Sequence, residues 1–252
     1  PIRTTVDNVY QHTFDRMAER NKEYYEWFPE DAALATRIAE HLRTHEEYLP
    51  TGERLTDHRF QMAGHYLGGR WRERGLHYFL ETAFAEGDDR LSDQFLSSMS
   101  SEVSFLANPL YALMHETIYA DGPADGTLPG IAGYELSPSP APTNWAAARV
   151  AAQRPEFSPE ADTLFFTGEH IFPWYYEEDP ALHPLADVAQ ILAEKKDWGR
   201  LYDHEQLHRN EVPVVAAAYN PDIYVDFENS METARWVGNT QVWTSKTHHH
   251  DG

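Results

Sequence analysis

The sequence predicts an α/β protein in which a long helical body precedes one strand–helix–strand unit of a parallel sheet. Three observations carry this. Val212-Pro213-Val214-Val215-Ala216-Ala217-Ala218-Tyr219 is a short apolar run of the kind that a parallel sheet buries on both faces. A helix pattern follows, with Asn229 at the N-cap, Glu232 closing a capping box and Gly238 past the end; Gln241-Val242-Trp243-Thr244-Ser245 then reads as a second strand. Before Val212, apolar residues recur at intervals of three and four through most of the chain.

The body divides into helices with readable boundaries. Val6 to Phe28 places Val9 or Tyr10, Phe14, Met17 and Tyr24 or Tyr25 on one face, and Pro29 ends it. Asp31 to His45 repeats the pattern with Leu34, Ile38 and Leu42. Pro50-Thr51-Gly52 is a turn, and Thr56 caps a further helix through Gly64 or Leu67. Helices follow at Leu76 to Phe84, at Ser92 (an N-cap) to Phe105 and at Pro109 to Tyr119. Prolines and glycines crowd positions 121–143, which marks a loop or internal linker. Helical patterns resume at Asn144 to Gln153 and Leu182 to Lys196.

Composition narrows the class. Seven Trp, fourteen Tyr and 13% aromatic residues require a packed core. The absence of Cys excludes a disulfide scaffold and a thiol nucleophile, and fits a reducing, cytoplasmic setting. A formal charge of −21 argues against nucleic-acid binding, because phosphate is repelled, and speaks to solubility before mechanism. No apolar stretch is long enough for a membrane span, and the start shows no basic-then-apolar signal pattern. The first residue is Pro, not Met, which suggests an excised start.

The strongest chemical signal lies in the final forty residues. Asn220-Pro221 closes the first strand and leaves Asp222 just beyond its carboxyl end, while His248-His249-His250-Asp251-Gly252 follows the second strand. Strand, acid, helix, strand and His is the order in which α/β-hydrolases present the last two members of a Ser, Asp, His triad. Asp222 and His250 are 28 positions apart, room for one such unit. No Gly-x-Ser-x-Gly occurs, and the cluster Ser97-Ser98-Met99-Ser100-Ser101 sits in a helical pattern without glycine. A triad here therefore needs a nucleophile from outside this chain.

Several blocks carry a family resemblance. Asn210-Glu211-Val212-Pro213-Val214-Val215-Ala216-Ala217-Ala218-Tyr219, Asp222-Ile223-Tyr224-Val225-Asp226 and Glu232-Thr233-Ala234-Arg235 resemble the larger branch of the proline iminopeptidases, α/β-hydrolases of the prolyl aminopeptidase family. So do Phe166-Thr167-Gly168-Glu169-His170-Ile171-Phe172-Pro173-Trp174 and Asn108-Pro109-Leu110-Tyr111-Ala112 with His115-Glu116. The likeness runs from about Pro1 to Gly252 and implies the C-terminal portion of such an enzyme: a helical lid over 1–208, then the last two core strands over 209–252. Pro1-Ile2 resembles the tail of an earlier strand. The resemblance implies a serine aminopeptidase without cofactor or metal, acting on small peptides with a free N-terminus, its serine in the preceding half of the hydrolase. His250 would be the base, by the match to His-Asp-Gly, and Asp222 its acid partner. Glu169 and Glu116 would hold the substrate amine, and Phe172, Trp174 and Tyr175 are candidate walls of the proline slot. A carboxylate set among apolar residues, as Glu169 and Glu116 are in sequence, must in any case find a cation or hydrogen-bond donors.

Two rival readings remain open on residues alone. His204-Glu205-Gln206-Leu207-His208 satisfies H-E-x-x-H, in which two His on one helical face bind zinc and the Glu activates water. Its helix spans about two turns between Leu201 and Val212, and fourteen His make a chance match easy. On the hydrolase reading both histidines should be exposed. The other rival is a helical interaction domain without catalysis.

Overall fold

The computed structural model describes residues 4–85, 89–122 and 142–251. Pro1-Ile2 and most of the Pro/Gly-rich stretch, 123–141, lie outside the described residues.

Helix α1 (Val6–Trp27) is capped by Thr5, whose side chain accepts from Asn8 N at 3.2 Å. Its buried stripe includes Val6, Val9, Tyr10, Phe14, Met17 and Tyr24, the face that the periodicity predicts. Pro29 ends α1 and opens α2 (Pro29–Thr44) at N1, where a missing N–H costs nothing. A small antiparallel hairpin, β1 (Glu47–Tyr48) with β2 (Arg54–Leu55), turns through Gly52 at φ +98°. Thr56 then caps α3 (Asp57–Gln61), which tightens into a 3-10 segment over Met62–Gly68. The body continues with α4 (Glu73–Glu81), α5 (Asp93–Val103, capped by Ser92), α6 (Pro109–His115) with a 3-10 turn over Glu116–Tyr119, and α7 (Ala146–Ala151). After α8 (Tyr175–Glu178), α9 (Ala186–Glu194) and α10 (His204–His208) come β3 (Val214–Tyr219), α11 (Phe227–Trp236) and β4 (Thr240–Ser245). One hydrophobic core runs through the body, with Phe14, Met17, Tyr24, Ile38, Leu42, Phe60, Phe95 and Phe166 fully buried.

Strands β3 and β4 pair in parallel from Val214↔Thr240 to Tyr219↔Ser245, with α11 as the connection. Three details differ from the sequence expectation. The pair is not buried on both faces: α11 packs on one, while Val215 is 77% and Trp243 53% exposed on the other. Helix α11 starts earlier than Asn229, because Asp226 takes the cap and accepts from Asn229 N at 2.8 Å. Gly238 serves close approach rather than a left-handed turn, since a Cβ there would meet the carbonyl oxygens of His208 and Asn210 at 2.7 Å. Among the described residues no helix is long and apolar enough to cross a membrane.

Candidate active site

The connection from β3 to α11 makes a tight turn that fixes one carboxylate. Asp222 is 4% exposed, and its Oδ1 accepts from the backbone N–H of Tyr224 at 2.8 Å and of Val225 at 3.0 Å. Its Oδ2 stays free for a second partner, and His250 Nδ1 lies 3.0 Å from it. The half-exposed His250 ring meets Tyr224 edge-on at 5.0 Å, and its backbone N–H donates to Gly68 O at 3.2 Å. Gly68 must lack a side chain, because a Cβ would lie 2.1 Å from the Tyr224 hydroxyl, which itself donates to His65 O.

The three consecutive histidines have three different partners. His248 Nδ1 lies 2.7 Å from Ser245 Oγ, which also accepts from the N–H groups of Thr247 and His248 and so shapes the exit of β4. His249 lies within 3.1 Å of the Arg20 guanidinium, and burial, with that charge adding to it, lowers its pKa. Only His250 reaches Asp222. Arg20, 4% exposed on α1, also donates to Pro221 O at 3.0 Å, so one side chain ties the acid turn to the histidine segment.

A cavity of about 210 Å³ opens beside His250. Glu169 lines it with Tyr10, Thr13, Tyr111, His115, Ile118, Tyr119, His170, Ile223, Tyr224 and Val225. The predicted base and the first predicted amine-binding carboxylate thus share one small space. Glu169 is exposed rather than buried, and among the described residues no Lys or Arg pairs with it. Its neighbours register its charge. Burial raises the pKa of Tyr111, and the charge of Glu169 and a hydrogen bond to it add to the rise; burial and then Glu169 do the same to Tyr224. Two of the histidines that line the cavity, His115 and His170, are buried and neutral near pH 7. Burial lowers His115 to about 4, and burial with the His115 charge lowers His170 to about 3. His170 is held by stacking on Phe14 at 3.9 Å and by Gly168 N–H, which donates to its Nδ1 at 3.1 Å.

Other predicted residues lie elsewhere. Glu116 is 2% exposed and does not line the cavity: its Oε2 accepts from the Thr143 hydroxyl and from Trp145 N–H at 2.9 Å, and burial raises its pKa. Its charge is felt by Tyr10 and Tyr119, which places it behind the cavity wall. Phe172 and Trp174 border a different hollow, beside His58 and Phe157. Tyr175 packs into the core against Phe105 at 5.4 Å. The chain turns at Pro173 into α8, and this carries the aromatic run away from His250. The tyrosines and the buried histidines that line the cavity are not among the site residues expected from sequence. Tyr224, two residues after Asp222, and His170, next to Glu169, were the available signals.

The H-E-x-x-H helix is occupied with packing. His204 is buried, not exposed as expected, with Nε2 3.3 Å from Asp121 Oδ2; His208 stacks on Trp236 at 4.6 Å, its Nδ1 3.2 Å from the Trp236 carbonyl. Among the described residues no group of three or more His, Asp or Glu is placed to hold a metal ion.

No protein-family model matches the chain. It is 38% identical over 253 residues to a proline iminopeptidase of Aeromonas sobria, an alignment that takes in all of this chain and 55% of the relative. It is 31% identical over 257 residues to proline iminopeptidase aneH of Aspergillus aculeatus, again over its full length and 52% of the relative. The chain spans about half the length of the curated relatives it matches. Along its whole length, therefore, this chain is a relative of the proline iminopeptidases, similar to about half of each.

Proposed function

We propose that this chain supplies the base, the acid and the amine-binding part of a serine exopeptidase that releases N-terminal proline from peptides, with the nucleophilic serine in residues outside it. The observation that carries the proposal is the Asp222–His250 pair opening onto the same small cavity as Glu169. With Nδ1 engaged by Asp222, His250 has Nε2 available to take the serine proton as the serine oxygen attacks the prolyl carbonyl, and to return it to the leaving amine. Asp222, fixed by two backbone N–H groups, holds the tautomer and stabilises the imidazolium. Glu169 receives the protonated prolyl nitrogen, while Glu116 adds negative field from behind Tyr10 and Tyr119. In this reading residues 1–208 are a helical lid that limits water and shapes the pocket, and 209–252 are the C-terminal part of an α/β-hydrolase core. The parallel strand–helix–strand and the similarity to two proline iminopeptidases support it. A cytoplasmic location is proposed on the absence of cysteine.

The test is steady-state kinetics on the full-length enzyme. Asp222→Asn should fold normally and lose roughly 10³–10⁴ in turnover of a prolyl substrate, because an amide cannot hold the imidazole in the right tautomer. His250→Ala should lose at least as much. Near wild-type turnover in either variant would remove the triad assignment.

A further inference from the structure

His115 stands at the end of α6, inside the cavity that holds Glu169 and His250. The residue is 5% exposed, and its Nε2 is buried with no hydrogen-bond partner. A buried, unpaired ring nitrogen is costly, so native sites seldom keep one without a use. Its surroundings indicate what it meets. The Tyr111 ring lies 5.5 Å from the His115 ring, and Tyr111 also feels the charge of Glu169, so the imidazole and the carboxylate neighbour one phenol on the cavity wall. Burial keeps His115 neutral near pH 7, so it brings a lone pair and no competing positive charge.

Resting on the function proposed above, we propose that His115 Nε2 is the second acceptor for the substrate's N-terminal ammonium, beside Glu169, and that this pair selects a secondary amine. A protonated prolyl nitrogen carries two N–H groups, and a primary ammonium carries three. A carboxylate and an imidazole nitrogen satisfy both prolyl N–H groups. A primary amine must place its third N–H against a phenol, a weaker acceptor, or bring water into the cavity. Sites that count hydrogen bonds discriminate more sharply than sites that sense only shape. Apolar walls alone would admit any small side chain, whereas two acceptors reject a mismatch in donor number.

The experiment uses the full-length enzyme with prolyl and alanyl anilides and an ester that lacks an α-amino group. His115→Leu should lower kcat/KM on the prolyl anilide by about ten- to a hundredfold, the range of one charge-assisted hydrogen bond. The alanyl anilide should lose clearly less, and the ester least of all. An unchanged prolyl-to-alanyl ratio overturns the inference, as does an equal loss on all three substrates. In the unmutated enzyme, histidine ¹⁵N resonances titrated with L-prolinol give a second reading that needs no variant. The His115 Nε2 signal should move as its lone pair accepts an N–H, and a stationary signal counts against the inference even if His115→Leu fails to fold. An enzyme that cleaves the ester but no prolyl anilide sinks the proposed function itself. An active enzyme with an unmoved ratio sinks only the role of His115.

Discussion

Glu116 and Glu169 separate two situations that look alike in sequence. Glu116 is buried and held by Thr143 and Trp145, whereas Glu169 is open to the cavity, where its charge acts on Tyr111 and Tyr224. A carboxylate held for its charge should be missed only by a charged substrate. Glu169→Gln should therefore lower kcat/KM on prolyl peptides by tens- to about a hundredfold, the equivalent of roughly 1.5–3 kcal/mol for one bond to a charged group. An ester without an α-amino group should lose almost nothing. If both substrates fall alike in parallel assays, Glu169 is structural and amine recognition belongs to another residue. Asp222 and His250 were legible as a pair because their positions follow strand ends, which the apolar runs mark directly. The choice among His248, His249 and His250 rested on the family register alone. In the fold it is physical: Ser245, Arg20 and Asp222 each hold one ring.

At the scale of elements, the helices whose boundaries were readable are those with both a periodic face and a cap. Thr56 and Ser92 cap α3 and α5 as their positions predict. Helix α11 shows how the same rule misleads. Asn229 and Glu232 satisfy the capping-box spacing, but Asp226 lies three residues earlier and captures the Asn229 N–H. It also meets His12 Nδ1 at 3.0 Å, a long-range contact that local reading cannot weigh. Asp226→Ala should cost about 1 kcal/mol of stability, the usual value of an N-cap, measured as a shift of the urea midpoint. An unshifted midpoint would mean that the cap contributes nothing measurable. The aromatic run at 171–176 was misplaced for a related reason. Sequence shows that Phe172, Trp174 and Tyr175 are apolar, but only the turn at Pro173 decides which hollow they border.

Across the whole molecule, the division into helical body and terminal strand–helix–strand was visible in the change of apolar period. The cavity was not, because its lining is drawn from α1, α6, the 169–170 segment, the acid turn and the chain end, which no local pattern brings together. Helix α1 is central to that assembly. Tyr10 and Thr13 line the cavity, and further along the same helix Arg20 clamps Pro221 and His249. The neutral state of His115 and His170 has a further consequence, for proton uptake on unfolding. Both rings resist protonation in the folded chain until about pH 4 and about pH 3, yet regain an ordinary histidine pKa near 6.5 once unfolded. The unfolded chain therefore binds protons first, so the stability these rings contribute is complete above about pH 6.5 and is lost as pH falls below it. His58 acts on the other side. Burial opposes its charge, but hydrogen bonds to Asp57 and Glu178 prevail and raise it to about 9, so its contribution is complete below about pH 6.5 and is lost as pH rises towards 9. Between pH 6.5 and 5, His115 and His170 should each remove on the order of 1 kcal/mol per pH unit. Urea midpoints at pH 7 and pH 5 should show a drop that shrinks markedly in His170→Gln, and an identical drop in both proteins would refute the linkage. The same burial that would keep His115 and His170 uncharged beside a cationic substrate thus leaves the fold sensitive to mild acid.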